Sequence, residues 1–367
     1  MLRFHTLRVA DVRPDAEDAV GISLQVPAEL RDEYRGSAGQ HVVLRTQIGG
    51  EETRRTYSLV NAPGEWPLRI VARVHPVGCM SRYLAEQLRA GDHVDVLPPN
   101  GSFTPRLITP EARTYAAFAA GCGITPVLSV MRSVLKARAD NRVILFYGNG
   151  SSARTMCLEE LLALKDRYLG RLSLHFVMSR EPQEAALYNG RIDAAKVRRL
   201  AQTLFKPDAV AEYFVCGPGN MIEQVSATLR ELGVEGDRVH GEHFTVDTVS
   251  TEAAAASAPQ AGTAAQSVAG PDLGSAEVTI IMDGRRRSFS MRMNDENVLE
   301  AAARAGLELP FSCRAGVCST CRTKVVRGAV EMAQNYALED WELEQGYVLA
   351  CQSRVKTPQL ELDYDEK

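Results

Sequence analysis

Short runs rich in Val, Ile and Leu fill the first 108 residues: AVGISLQV, QHVVLRTQI, RRTYSLV, LRIVARV and DHVDVLPP. Gly, Pro and Asn punctuate them. Many short strands separated by turn residues predict an antiparallel β-barrel over 1–108. From about Arg113 the rhythm changes. YAAFAAG is followed by the helical TPVLSVMRSVLKAR, VILFYGN by CLEELLALKDRYL, LSLHFVMS by DAAKVRRLAQTLF, and YFVCGP by NMIEQVSATLRELG. In the last helix Met221, Val225 and Leu229 share one face. Four strand–helix alternations predict an α/β domain over 109–248, with a parallel sheet and right-handed crossovers.

Residues 249–275 lose the pattern. Ala, Ser, Gly, Thr, Pro and Gln dominate, and large apolar residues are almost absent. Such a stretch buries too little surface to order itself and is expected to be a flexible linker, a tether of roughly 25–30 Å. The pattern resumes over 276–367. EVTIIMDGRRRSFSMRM predicts a hairpin about Asp283-Gly284. A helix over VLEAAARA is expected to start at a cap on Asn294 or Asp295 and to stop at Gly306. RTKVVRG, YVLACQS and QLELDY predict further strands, giving a multidomain chain that ends in an α+β unit.

Composition removes several classes. The formal net charge is −4, so no basic excess points to nucleic acid. MLRFHTLRVADVRPD has no apolar core of the signal-peptide kind. The longest apolar stretch, Tyr115 to Met131, is broken by Gly121, Gly123 and Pro126, which is unsuited to a bilayer span. A soluble, cytoplasmic protein is expected, with no membrane or nucleic-acid partner.

The chain has eight cysteines. Cys79, Cys122, Cys157 and Cys216 are scattered singly, as small buried hydrophobes often are. Cys313, Cys318, Cys321 and Cys351 follow C-x4-C-x2-C and then a long gap. Four thiolates, three from one tight loop and one from a distant strand, suit two irons bridged by two sulfides; this is the plant-type spacing for a 2Fe-2S centre. A zinc site more often uses two close C-x2-C pairs, and only one such pair is present. Gly316, Ala315, Ser319 and Thr320 are small enough for backbone N–H groups to approach the sulfurs.

A one-electron carrier needs a source of single electrons, and a flavin is one. RRTYSLVNAP at 54–63 places a cation, an aromatic and a hydroxyl on one strand, with Arg55 and Tyr57 two apart and so on one face. The same tetrapeptide also fits an ordinary sheet surface. VGCMSRYLAEQL opens a helix at Gly78 and Ser81, an end suited to a pyrophosphate. AAGCGITPVLSVM reads strand, G-x-G-x-x-P, helix, and CGPGNM stands at another strand end before a helix. Open α/β sheets bind ligands at such ends. Each signal alone also fits a plain turn.

Together and in this order, R-x-Y-S, G-x-x-S, G-x-G-x-x-P and C-G-P-x-x-M resemble the ferredoxin–NADP reductase superfamily, here with a C-terminal plant-type β-grasp ferredoxin domain. GQHVVLRT at 39–46, HGEHF at 240–244 and NYALEDWELEQGYVLACQS at 335–353 are similar to the branch serving phenylacetyl-CoA epoxidases. The resemblance implies that Arg55, Thr56, Tyr57 and Ser58 bind FAD, with Tyr57 on the ring and Ser58 near N5. It implies that Gly78, Cys79, Met80 and Ser81 meet the FAD pyrophosphate, and that Glu242 and Phe244 close the flavin site. Gly121, Gly123, Thr125, Pro126, Gly217, Pro218 and Met221 would hold the nicotinamide dinucleotide, with Cys216 near the nicotinamide. Ser58 and Cys216 are the expected catalytic pair. Ser179 and Arg180 would lie at the adenosine ribose, where an arginine suits a 2′-phosphate, so NADPH is expected over NADH. Val77, Cys122 and His243 depart from the usual residues of the superfamily. The implied function is electron transfer from NADPH through FAD and the cluster to a di-iron oxygenase of phenylacetate degradation. The alternatives are an aromatic- or steroid-hydroxylating oxygenase as acceptor, or a redox sensor. Residues 276–367 carry 12 Lys and Arg against 15 Asp and Glu, and Glu339, Asp340, Glu342 and Glu344 suit either the steering of docking or an ordinary solvated face.

Overall fold

The computed structural model describes residues 3–106, 112–244, 274–293, 296–338 and 340–366. The chain divides into two compact units, one over 3–244 and one in its C-terminal part.

The first unit opens with a strand that the apolar pattern does not announce, β1 (His5–Pro14). Only Leu7 and Val9 are buried in it, so it presents no apolar run. The expected strands follow as β2 (Ala19–Gln25), β3 (His41–Ile48), β4 (Glu51–Ser58), β5 (Leu68–Arg73) and β6 (His93–Asn100). β4 begins earlier than RRTYSLV because Glu51 and Glu52 pair with β3 through the backbone while their side chains stay exposed. The sheet order is β4-β3-β6-β1-β2-β5, and a bridge from Leu59 to Ile70 joins its two ends into a barrel. Two short helices accompany it, α1 (Arg31–Tyr34) and α2 (Cys79–Glu86). Leu7, Ile22, Val42, Leu44 and Ile70 form its core, and Met80 and Leu84 of α2 pack into it.

The α/β part runs β7 (Thr114–Ala120), α3 (Ile124–Ala137), β8 (Arg142–Asn149), α4 (Leu158–Arg167), β9 (Leu172–Met178), α5 (Ala194–Thr203), β10 (Val210–Gly217), α6 (Gly219–Glu231) and β11 (Val239–His243). Its parallel sheet has the order β11-β10-β7-β8-β9, so the direction of winding reverses between β7 and β10. β11 is a fifth strand, too short and polar to show in the pattern. The two parts share one apolar core. Val60, Val71 and Phe103 of the barrel pack in the same cluster as Val127, Leu128 and Phe214. Ser129 on α3 accepts from the Gly39 amide at 3.1 Å and donates to the Asn61 carbonyl at 2.5 Å. Asp18 binds Arg73 at 2.5 Å and also pairs with Arg154 across the seam.

The C-terminal unit contains β12 (Ser275–Met282), β13 (Arg285–Arg292), α7 (Val298–Arg304), β14 (Arg322–Arg327), β15 (Val330–Met332), α8 (Asp340–Glu344), β16 (Tyr347–Leu349), β17 (Ser353–Val355) and β18 (Gln359–Asp363). The sheet order is β13-β12-β18-β14-β16, with β12 and β18 parallel. Val298, Leu299, Ala301 and Ala302 bury one face of α7 among Val278, Ile280 and Leu362. Asp283 and Gly284 both have positive φ, 55° and 67°, as the tight hairpin requires. The cap of α7 is Asn297, which accepts from the Glu300 amide at 3.0 Å; the expected capping positions, 294 and 295, lie outside the described residues. The expected linker also falls outside them up to 273, and Ser275 already pairs with Arg292 in β12. Among the described residues no helix is long and apolar enough to cross a membrane.

Candidate functional site

β4 delivers Arg55, Thr56, Tyr57 and Ser58 in sequence at its C-terminal end. Arg55 and Tyr57 are half-buried and Ser58 is buried. Nη1 of Arg55 donates to the Arg54 carbonyl at 2.8 Å, which holds the guanidinium back along its own strand. The Ser58 hydroxyl donates to Oε2 of Glu242 on β11 at 3.4 Å. Oε1 of Glu242 lies 3.7 Å from Nδ1 of His41. His41 was not legible as a site residue, since a single histidine within an apolar strand carries no pattern.

Gly78 caps α2 without a side-chain hydrogen bond. The first amides of such an end have no intrahelical partners. Two neighbouring side chains are committed elsewhere. Met80 is fully buried in the barrel core, and the Ser81 hydroxyl accepts from the His75 amide at 3.1 Å and donates to the Gly78 carbonyl at 3.3 Å. The loop therefore presents backbone, with Cys79 exposed beside it.

At the switch between β7 and β10 the two glycines of G-x-G differ in purpose. Gly121 adopts φ +55°, with only the Arg73 guanidinium near its open side. Gly123 is required by the protein itself: a Cβ there would stand 2.1 Å from the Cys216 carbonyl oxygen. Gly217 likewise leaves room for Met221, whose Cε would lie 2.7 Å from an added Cβ. Thr125 donates to the Cys122 carbonyl at 2.9 Å, and Pro126 is buried in the first turn of α3. Pro218 caps α6. Cys216 has no exposed surface; burial, with Glu242 nearby, pushes its thiol well above the ordinary range and keeps it neutral. Phe244, half-buried, packs against the cluster that contains Cys216.

Further along the sheet end, Ser179 donates to the Asn149 carbonyl at 3.2 Å, and the Arg180 amide to the Gly150 carbonyl at 2.9 Å. The Arg180 side chain is exposed, and Arg180 and Arg154 flank Gly150. Glu181 accepts from the Ser152 hydroxyl at 2.6 Å and amide at 2.7 Å, which holds its carboxyl below the usual range. Asn149 ends β8 nearly buried, and its amide, although near the Tyr147 hydroxyl, reaches no partner with hydrogen-bond geometry. A buried amide without a partner at the carboxyl end of a parallel strand suits a polar ligand. No motif marked it.

In the second unit Cys313, Cys318 and Cys321 lie in one loop, and Cys351 lies in the turn after β16 rather than within a strand. The amides of Ala315 and Val317 donate to the Cys313 sulfur at 3.4 Å each, and the Cys313 amide to the Cys318 sulfur at 3.5 Å. The loop needs Gly316 at φ +73°, where a Cβ would meet the Gln334 carbonyl at 2.9 Å. Gln352 donates to the Arg314 carbonyl at 2.9 Å and to the Cys351 sulfur at 3.6 Å. The thiols fall into two pairs. Cys318 hydrogen-bonds Cys313 and, against burial, draws its thiol down to about 7. A hydrogen bond between Cys321 and Cys351 raises the first thiol and lowers the second. Among the described residues no three His, Cys, Asp or Glu side chains are placed to hold a single ion. Two thiolates for each of two irons, with amides aimed at sulfur, fit a 2Fe-2S cluster.

The expected docking acids are partly corrected. Glu342 is buried and paired with Arg322 at 2.7 Å, so it serves the fold. Glu339 and the Asp340 side chain lie outside the described residues, and Glu344 is exposed.

A closed antiparallel barrel, a parallel sheet with its switch point beside that barrel, and four cysteines gathered from one loop and a distant turn define a flavin- and iron–sulfur-dependent reductase. Residues 16–104 match an oxidoreductase FAD-binding domain, 118–227 an oxidoreductase NAD-binding domain, and 280–356 a 2Fe-2S iron-sulfur cluster binding domain. The chain belongs to the family of NAD(P)H-dependent oxidoreductases that act as reductase components of oxygenases. It is 36% identical over 369 residues to one component of the 1,2-phenylacetyl-CoA epoxidase of Escherichia coli (strain K12), covering 100% of this chain and 99% of that one. It is 31% identical over 365 residues to the ferredoxin reductase component of 3-ketosteroid-9-alpha-monooxygenase of Rhodococcus rhodochrous, covering 98% and 96%. Its fold matches phthalate dioxygenase reductase with a TM-score of 0.57 at 23% identity, over 98% of both chains.

Proposed function

We propose that this protein delivers electrons from NADPH to the di-iron oxygenase of a phenylacetyl-CoA epoxidase in the cytoplasm. The observation that carries the reading is the 36% identity to the Escherichia coli epoxidase component over nearly the whole of both chains. Bound FAD supplies the exchange between hydride and single electrons, and the cluster carries them one at a time.

The residues divide the work as follows. Arg55 and the first-turn backbone of α2, from Gly78 through Cys79 and Met80 to Ser81, hold the FAD phosphates. Tyr57 lies on the isoalloxazine, Thr56 lines the strand beside it, and Ser58 faces N5 with Glu242 behind it. Phe244 covers the far side of the ring. Gly121, Thr125, Pro126, Gly217, Pro218 and Met221 shape the dinucleotide cleft. Gly123 keeps that cleft closed onto Cys216, and Cys216 lines the nicotinamide position as a neutral thiol. Asn149 and Ser179 face the adenosine, and Arg180, with Arg154 at its side, takes the 2′-phosphate. Cys313, Cys318, Cys321 and Cys351 ligate the cluster. The proposed division of the chain is 1–108, 109–248, a tether over 249–275, and 276–367.

The test is reconstitution with purified oxygenase components. Epoxidation of phenylacetyl-CoA should require this protein and NADPH. Turnover with a steroid oxygenase and none with the epoxidase would favour the second reading, for which the 31% identity to the steroid reductase speaks.

A further inference from the structure

Ser58, Glu242 and His41 form a buried chain, and the reading above uses only its first two members. β3 and β4 pair His41 directly with Ser58, and β11 brings Glu242 onto both. The His41 side chain is 4% exposed and that of Glu242 12%. The turn after β6 lies beside the imidazole: a Cβ on Gly101 would stand 3.0 Å from Nδ1, so a glycine there leaves the ring its place. Nε2 is buried and makes no hydrogen bond. An orphaned buried nitrogen is destabilising, a cost that an apolar residue of similar size would avoid. The polar and titratable groups around the ring are Ser58 on β4, Asn100 at the end of β6, Glu242 on β11 and, beyond Glu242, Cys216 on β10. Cys216 is held neutral by burial, so Glu242 is the carboxylate of that set.

We propose that His41 is a positioning residue that fixes the rotamer of Glu242, and through it the direction in which the Ser58 hydroxyl donates. The inference rests on the placing of Ser58 at the flavin edge. With a proton on Nδ1 facing Oε1, the carboxylate is held so that Oε2 takes the Ser58 proton. The Ser58 oxygen then offers only lone pairs to its other side. Without the imidazole the carboxylate is free to turn, and the Ser58 hydroxyl is free to donate elsewhere.

The test is spectroelectrochemical titration of the flavin in the full-length holoprotein at one fixed pH. His41→Leu should retain FAD and shift the midpoint by the equivalent of about tenfold, or about 30 mV for a two-electron couple. His41→Asn keeps a donor near Nδ1 and should return the midpoint most of the way to the wild type. A midpoint unchanged in His41→Leu overturns the proposal; if that variant does not fold, a midpoint unchanged in Glu242→Gln does so. Ser58→Ala separates the two levels. If it shifts the midpoint while the His41 variants do not, the positioning role alone fails. If it leaves the midpoint and flavin absorbance untouched, the placing of Ser58 fails and this inference with it.

Discussion

Gly123→Ala tests whether the β7–α3 turn must touch the end of β10. The new Cβ would lie 2.1 Å from the Cys216 oxygen, 2.4 Å from its carbonyl carbon and 2.9 Å from the Gly217 nitrogen. Ordinary contact begins near 3.4 Å, so the turn must retreat by roughly 1 Å or more in a close-packed interior. All three atoms are backbone, and no side chain can rotate out of the way. Overpacking of this kind costs about 1–3 kcal/mol, and a backbone clash belongs at the upper end. At about 2–4 °C per kcal/mol for a unit of this size, the 3–244 unit should melt roughly 6–12 °C lower, followed by release of flavin fluorescence. A 1 Å displacement at this point should also slow flavin reduction by NADPH about 100-fold in stopped flow. Gly170→Ala is the control, because a Cβ there meets nothing within 4 Å; it should be neutral or slightly stabilising. If Gly123→Ala melts with the wild type and is reduced at the same rate, the contact is not needed and the argument is wrong.

Cys351→Ser should abolish the visible absorbance and circular dichroism of the cluster while leaving FAD bound and reducible by NADPH; a retained cluster would remove Cys351 from the ligand set. Arg180→Ala should raise the KM for NADPH about tenfold or more, as loss of a charged hydrogen bond predicts, and leave that for NADH unchanged. Equal effects on both would move the 2′-phosphate elsewhere. Glu342→Ala strands Arg322 beside the Tyr347 ring, 3.7 Å from its centroid. It should destabilise the C-terminal unit by about 3 kcal/mol, roughly 10 °C or more by thermal melting. A change in salt dependence of electron transfer without loss of stability would restore Glu342 to the docking surface.

The elements with strong periodicity were legible from the residues. The four strand–helix alternations and the Asp283-Gly284 hairpin stand where the pattern put them, because burial on one face dictates the spacing. β1 and β11 were not legible: backbone pairing holds them, and only Leu7 and Val9 in β1 carry a core signal. The cysteine spacing was readable because ligand chemistry fixes both residue type and separation. Glu342 misled, since a run of acids looks solvated until the fold turns one inward onto Arg322. Asn149 and His41 were invisible for the opposite reason. Each matters through what it faces in space, and a lone polar residue among hydrophobics leaves no periodic trace.

The apolar cluster common to barrel and parallel sheet limits how such reductases can be rearranged. A fragment ending near residue 108 would leave Val60, Val71 and Phe103 facing water, and should aggregate rather than survive as a module. Chimeras that trade coenzyme preference between relatives therefore have to exchange 3–244 in one piece, or repack both sides of the seam together.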